Sequence, residues 1–210
     1  MKKIFSFDLD GTLVDGIYGD MVWNHGLPEV FARRYDISLE EAKTLTQKEY
    51  GTVGDGKLEW YDIDYWLERF DLPVSSGELL NRYEPYISLL PFVREVLETL
   101  QENYILVIAS NAARIFVEKE VSHTDIGRHF STIVSATSDY KIVKKGDSFY
   151  TRLLNDLGVS PHEIIHVGDH RIFDFEAPSR LGIESYHLCA DGNGDSRVIP
   201  NLRVLLERLR

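Results

Sequence analysis

The chain has 210 residues, which is enough for one domain or for a core with a smaller domain inserted into it. It carries 23 basic and 34 acidic residues, and the net charge of -11 argues against nonspecific binding to nucleic acid or to an anionic membrane. No apolar run reaches the roughly 20 residues of a membrane span, and a single cysteine, Cys189, excludes an intrachain disulfide. These features predict a soluble, cytoplasmic protein in which any anionic ligand needs a local cation.

The first predicted element is a buried strand that ends in two carboxylates. The apolar run Ile4 to Phe7 is followed by Asp8, Asp10 and Gly11. Ligands bind beyond the carboxyl ends of parallel strands, and residues two apart face the same way if the extended conformation persists to Asp10. Two such carboxylates raise each other's pKa, so one can carry a proton while the other acts as nucleophile or metal ligand. The alternative is a strand followed by an ordinary Asp-Gly turn.

About 70 residues after this strand contain helical patterns and no predicted strand. Helices are expected near residues 20–35, 38–50, 62–70 and 76–83. Because this segment begins at the carboxyl end of the first strand, we predict that residues 16–88 form a helical cap that closes over the site.

From Pro91 onward, apolar strands alternate with helices. Strands are expected at 104–109, 132–135, 164–167 and 184–188, with helices at 92–102, 112–121, 147–157, 174–181 and 202–209. Such alternation predicts an α/β fold, a doubly wound parallel sheet with a Rossmann-like core, formed by residues 1–15 and 89–210. His166 lies inside a predicted buried strand and is expected to be a core histidine with its hydrogen bonds satisfied.

The later strands also end in polar residues. Ser110 and Asn111 precede a helix, where backbone N–H groups favour phosphate, although Ser110 alone also fits an ordinary helix cap. Asp169 follows the strand at 164–167 and suits a hard divalent cation. Asp174 is a second candidate ligand or a helix cap.

Lys141, Lys144 and Lys145 form a cluster between these strands, and one of the three is expected to neutralise phosphate.

Four segments together resemble the motifs of the haloacid dehalogenase superfamily. They are FDLDGTLVD, Ser110-Asn111, a lysine before a helix, and GDHRIFD, and the resemblance spans residues 4–188. The predicted insert resembles the helical cap that this family places between its first and second motifs.

The resemblance implies a role for each aspartate. Asp8 is the nucleophile that takes up a phosphoryl group, and Asp10 is the acid that protonates the leaving alcohol and then activates water. Mg²⁺ would be held by the Asp8 side chain, the Asp10 backbone carbonyl, Asp169 and Asp174. Ser110, Asn111 and a lysine would bind the phosphate.

The lysine motif departs from the family pattern, which usually has Pro-Asp after the lysine. In this sequence the corresponding residues are Lys144-Lys145-Gly146-Asp147. Counting back from Tyr150 favours Lys144, with Lys145 and Lys141 as alternatives.

The predicted function is a Mg²⁺-dependent phosphatase that acts on a small phosphorylated metabolite. Family dehalogenases of 2-haloacids typically lack an aspartate at the second position, so Asp10 argues against that reaction. A sugar-phosphate mutase would keep every residue discussed and is an alternative. A non-enzymatic phosphate-binding module is disfavoured because the motif set is complete. The sequence does not indicate an oligomeric state.

Overall fold

The computed structural model describes residues 3–191 and 195–209, and in these residues six parallel strands form one sheet. The strands are β1 (Ile4–Phe7), β2 (Ile105–Ser110), β3 (Phe130–Ser135), β4 (Ile164–Gly168), β5 (Glu184–Leu188) and β6 (Val198–Ile199). Their spatial order is β3-β2-β1-β4-β5-β6, so the direction of winding reverses at β1. In such sheets the ligand crevice lies at this reversal, beyond the carboxyl ends of the strands.

Ten α-helices surround the sheet in the described part of the chain. They are α1 (Ile17–Met21), α2 (Leu27–Tyr35), α3 (Leu39–Val53), α4 (Ile63–Arg69), α5 (Ser76–Tyr83), α6 (Val93–Leu100), α7 (Arg114–Thr124), α8 (Asp147–Leu157), α9 (Ala177–Arg180) and α10 (Leu202–Arg208). Within the described ranges, no helix combines the length and the hydropathy that a membrane crossing requires.

The two faces of the sheet carry different apolar clusters. Because side chains alternate along a strand, Phe5 and Phe7 of β1 pack in one cluster with residues of α6, α7 and α10. Ile4 packs on the opposite face, in a second cluster with Phe149 of α8 and Ala177 of α9. Helices therefore cover both faces, which confirms the predicted doubly wound α/β fold.

Helices α1 to α5 lie between β1 and β2, where the sequence predicts the cap. The segments that enter and leave this region run side by side, because Asp15 N donates to Ser88 O at 3.2 Å and Leu90 N donates to Leu13 O at 2.9 Å. Trp66 of α4 is fully buried in the same apolar cluster as Phe5 and Phe7. The insert thus shares one continuous apolar cluster with the core. The division into core and cap at residues 16 and 88 stays a prediction.

The structure differs from the predicted elements mainly after β4 and near the C-terminus. The helix expected at 174–181 is a π-helical turn, Arg171–Glu176, followed by the short α9. Pro178 has no N–H to donate, so it is tolerated only in the first turn of α9. Strand β6 has two residues, which is too short to produce a periodic pattern in the sequence.

Candidate active site

Asp8 lies directly beyond β1, at the reversal of the strand order. Its backbone N–H still donates to Val167 O of β4 at 2.9 Å, which holds Asp8 in line with the strand. The chain then turns, because the amides of Thr12, Leu13 and Val14 all point to Leu9 O. Asp8 is 6% exposed, whereas Asp10 lies in the turn and is partly exposed. The extended conformation therefore ends before Asp10.

Lys145 joins the ends of three strands through one buried ammonium group. Its Nζ forms ion pairs with Asp8 Oδ1 and, at 2.6 Å, with Asp174 Oδ1, and it donates to Ala109 O of β2 at 2.8 Å. The side chain is 1% exposed. A lysine ammonium has three donors, and these three acceptors match that number.

The structure places Lys145 at this position instead of Lys144, which corrects the assignment favoured by the sequence. Lys144 has a φ of 66°, and its Nζ reaches out to Asp55 Oδ2 in the predicted cap at 2.8 Å. Consecutive side chains point in different directions, so a shift of one residue moves the ammonium from the buried cluster to the surface. Lys141 is exposed and lines a surface cleft between the predicted cap and the core.

Three carboxylates converge beside Lys145. Each of Asp8, Asp169 and Asp174 offers an oxygen, and these oxygens lie within 4.8 Å of one another. Two glycines make this possible, since a Cβ on Gly11 would overlap the Asp169 carboxylate and a Cβ on Gly168 would overlap Asp174. Oxygen ligands at this spacing fit a hard divalent cation such as Mg²⁺. The Asp10 side chain is not one of these three possible metal ligands. A contact between the metal and the Asp10 backbone carbonyl stays a prediction.

The ionisation of this cluster follows from burial and from Lys145. Burial alone would raise the pKa of Asp174, but Lys145 and His166 together hold it below its usual range. Burial also raises the pKa of Asp8, and Lys145 opposes that shift. For Lys145, burial is outweighed by Asp174 and Asp8, which raise the pKa, so the ammonium stays charged. A second cation would therefore favour the ionised forms of Asp8 and Asp169, whose pKa values burial raises.

Ser110 and Asn111 lie at the end of β2, next to the carbonyl that Lys145 binds. Ser110 is buried, and its Oγ accepts from Ala112 N at 3.0 Å. Helix α7 begins four residues later, at Arg114, with Ala113 as its N-terminal cap, so Ser110 does not cap the helix. The buried Asn111 Oδ1 has no hydrogen-bond donor among the described residues. Their contact with phosphate stays a prediction.

Glu120 of α7 is a site residue that sequence reasoning missed. It is fully buried, and neither carboxylate oxygen finds a donor within the described ranges. Burial, followed by the proximity of Asp10 and Asp8, raises the pKa of Glu120 to about 10. The protonated group is then able to donate a hydrogen bond to Asp10, whose own pKa is raised mainly by burial. The available signal was its spacing, because Glu120 lies four residues after Phe116 on the apolar face of α7.

Several comparisons with known proteins agree with this geometry. A family model for haloacid dehalogenase-like hydrolases matches residues 2–182. A GMP/IMP nucleotidase of Escherichia coli (strain K12) is 24% identical over 178 residues, covering 84% of this chain and 78% of the relative. A glyceraldehyde 3-phosphate phosphatase of Pyrococcus abyssi (strain GE5 / Orsay) is 28% identical over 204 residues, covering 88% and 80%. The solved structure of a HAD phosphatase from Thermococcus onnurineus has a TM-score of 0.82 at 25% identity, covering 99% of this chain and 97% of that one.

Substitution of the two adjacent lysines should have opposite consequences. Lys145→Met leaves Asp8 and Asp174 buried without their cation, and we expect it to lower the free energy of unfolding by about 3 kcal/mol or more. Lys144→Met removes a partly exposed ion pair and should change it by less than about 1 kcal/mol. Urea unfolding of both variants measures the difference, and equal losses would contradict the assignment of Lys145.

Glu120 should make the stability of the protein depend on pH. Its pKa is about 10 in the folded chain against an ordinary 4.5, so between these values the folded state retains a proton that the unfolded state has lost. The free energy of unfolding should therefore fall as pH rises from about 5 to about 9, by at most about 1.4 kcal/mol per pH unit from this group. Glu120→Gln cannot ionise, so its stability relative to wild type should increase with pH.

Thermal unfolding of wild type and Glu120→Gln at several pH values checks this expectation. Glu118→Gln, an exposed position on the same helix, is the control for the loss of a glutamate. A stability difference between wild type and Glu120→Gln that stays constant over this range would show that Glu120 is ionised in the folded protein.

Proposed function

The chain belongs to the haloacid dehalogenase-like hydrolases and is a phosphoric monoester hydrolase, and from this premise we propose that it works through a phosphoryl group carried on Asp8. The observation that carries the proposal is the bridge from Lys145 to Asp8 and Asp174. It holds the proposed nucleophilic carboxylate, an ammonium group and one further acid together, and Asp169 lies beside them.

In the first step, an Asp8 carboxylate oxygen attacks phosphorus and the bond from phosphorus to the leaving oxygen breaks. Asp10 donates a proton to that oxygen, so the product leaves as an alcohol. Two features support these roles. The ion pair with Lys145 fixes the Asp8 side chain, and burial raises the pKa of Asp10, which favours the protonated form that this step requires.

In the second step, Asp10 accepts a proton from a water molecule, whose oxygen attacks phosphorus. The bond from phosphorus to Asp8 breaks, inorganic phosphate leaves, and both aspartates return to their starting states. Mg²⁺ held by Asp8, Asp169 and Asp174 would supply the positive charge that offsets the phosphate dianion and keeps Asp8 ionised.

A cleft of about 400 Å³ lies between the predicted cap and the core, and it suits the leaving group of a small metabolite. Leu58 and Tyr61 line it from the cap, and Ala113 and Thr137 line it from the core. The Thr137 hydroxyl donates to Asn111 O at 3.3 Å, which connects the cleft to the end of β2. The relatives are named for a nucleotide and for a triose phosphate, so the proposal extends to the class of small phosphomonoesters. The cytoplasmic location stays a prediction.

Release of inorganic phosphate tests the proposal. The substrates are p-nitrophenyl phosphate, nucleoside monophosphates, triose phosphates and hexose phosphates, each with Mg²⁺ or with a chelator. We expect turnover to need Mg²⁺ and to fall at least about a thousandfold in Asp8→Asn, because the amide is not a nucleophile. Asp147→Asn, at an exposed ion pair with Arg180, is the matched control and should keep full activity.

Two results would contradict this function. Robust turnover in the presence of chelator would exclude the role of the metal, and an active Asp8→Asn protein would exclude the nucleophile. Conversion of a hexose phosphate into its isomer without release of phosphate would favour the mutase instead.

Asp10→Asn should separate the two steps. The p-nitrophenolate leaving group departs without a proton, so the first step with p-nitrophenyl phosphate should continue while the attack by water slows. We expect a rapid burst of p-nitrophenol followed by slow turnover, measured by stopped-flow absorbance. Steady-state turnover at the wild-type rate with no burst would place Asp10 outside the second step.

A further inference from the structure

A buried group of polar side chains lies directly beneath the carboxylate cluster, and the steps proposed above do not use it. Ser6, Tyr150 and His166 are each fully buried. His166 Nδ1 lies 3.0 Å from Ser6 Oγ, and its Nε2 lies 3.1 Å from Asp174 Oδ1. The Tyr150 hydroxyl lies 3.0 Å from His166 Nε2 and donates to Phe173 O at 2.8 Å. The group therefore ends at Asp174 and at the residue before it.

The sheet register brings these residues together. Ser6 of β1 and His166 of β4 are paired in the parallel ladder, so their side chains lie next to each other on the same face. Two residues farther along β1 is Asp8, on that same face. Helix α8 covers this face and supplies Tyr150, whose ring packs edge-on against His166 at 5.2 Å. The polar group is thus built into the core one residue pair behind the carboxylates.

The hydrogen-bond network assigns each proton. The Phe173 carbonyl only accepts, so the Tyr150 hydroxyl donates to it. The Asp174 carboxylate only accepts, so the imidazole proton is assigned to His166 Nε2. Nδ1 of the neutral ring then accepts from the Ser6 hydroxyl. On the other side, Asp174 Oδ2 accepts from His170 N at 3.1 Å. Both oxygens of Asp174 and the carbonyl before it are therefore held.

The contact between His166 and Asp174 Oδ1 matters because the Lys145 ammonium attracts the same carboxylate oxygen. Lys145 Nζ is 2.6 Å from Asp174 Oδ1 and also contacts Asp8. Without a donor on the opposite side, rotation of the Asp174 carboxylate toward the ammonium would take it away from Asp169. A carboxylate that is already oriented loses less freedom when it binds a cation, so its ligand geometry is prepared in advance.

We propose that His166 and Tyr150 are positioning residues that orient Asp174 for binding of a divalent cation, His166 through the carboxylate and Tyr150 through the Phe173 carbonyl. This inference rests on the proposed function, because it concerns the metal site of that reaction.

The test measures Mg²⁺ binding directly, by isothermal titration calorimetry in the absence of substrate. His166→Leu removes the donor to Asp174, whereas His166→Gln places an amide N–H near the position of Nε2. Tyr150→Phe keeps the ring and removes the hydroxyl. We expect His166→Leu and Tyr150→Phe to weaken Mg²⁺ binding by about 10- to 100-fold, and His166→Gln to stay within about threefold of wild type. With saturating Mg²⁺, the KM for p-nitrophenyl phosphate should be unchanged.

Tyr140→Phe is the matched control. Tyr140 is buried in the same apolar cluster as Tyr150, but its hydroxyl faces Asp156 and Arg152 lies over its ring. Its Mg²⁺ affinity should equal that of wild type. Circular dichroism and thermal unfolding in chelator identify the folded variants, and if His166→Leu does not fold, the comparison of Tyr150→Phe with Tyr140→Phe decides.

The outcomes separate this inference from the proposed function. Folded Tyr150→Phe that binds Mg²⁺ as tightly as wild type would overturn the inference, and so would an equal loss in Tyr140→Phe. In either case a Mg²⁺-dependent wild type would leave the proposed function intact. Wild-type protein that binds no Mg²⁺ would contradict the proposed function and this inference together.

Discussion

The site depends on one buried positive charge, the Lys145 ammonium, because it neutralises carboxylates that could not otherwise lie so close together. Asp8 follows β1, Asp174 lies in the turn after β4, and Lys145 also holds the end of β2 through Ala109 O. Removal of either partner of a buried ion pair leaves the other charge uncompensated. The same contact therefore stabilises the meeting point of three strands and assembles the proposed reaction centre.

The other acidic side chains near Asp8 differ in their surroundings on its two sides. On the side of β4, Asp169 and Asp174 keep an arrangement that accepts a divalent cation, and His166 and Tyr150 support it from the core. On the side of α7, Glu120 has its pKa raised to about 10, and as a neutral acid it faces Asp10. Asp8, Asp169 and Asp174 thus offer oxygen ligands for a cation, while Glu120 stays neutral and burial raises the pKa of Asp10. Such a separation of roles is what acid and base catalysis requires.

The sequence alone was sufficient for β1 to β5 and for the polar residues that follow β1, β2 and β4. Apolar runs located β1 to β5, and Gly11 and Gly168 stand where a Cβ would collide with the incoming carboxylates. The sequence was insufficient to decide which of two adjacent lysines faces the carboxylate cluster. Lys144 and Lys145 are chemically equivalent in a sequence, and only the backbone conformation around Lys144 determines which ammonium turns inward.

The contacts of buried polar side chains were the second feature that the sequence could not predict. Glu120 belongs to an ordinary helical pattern until tertiary packing places Asp10 beside it, and no local signal reports that contact. His166 was expected to be a core histidine with satisfied hydrogen bonds, and its contacts with Ser6 and Asp174 agree with this. Only the folded position of the turn after β4 shows that one of those contacts reaches the proposed metal site.

Chemical trapping of the phosphorylated aspartate tests the central claim most directly. Wild-type protein would be quenched in acid during turnover of p-nitrophenyl phosphate with Mg²⁺ and then treated with borohydride, which reduces an acyl phosphate to an alcohol. Peptide mapping by mass spectrometry should then find homoserine at position 8 and nowhere else. Turnover without any modification of Asp8, or modification of another carboxylate, would contradict it.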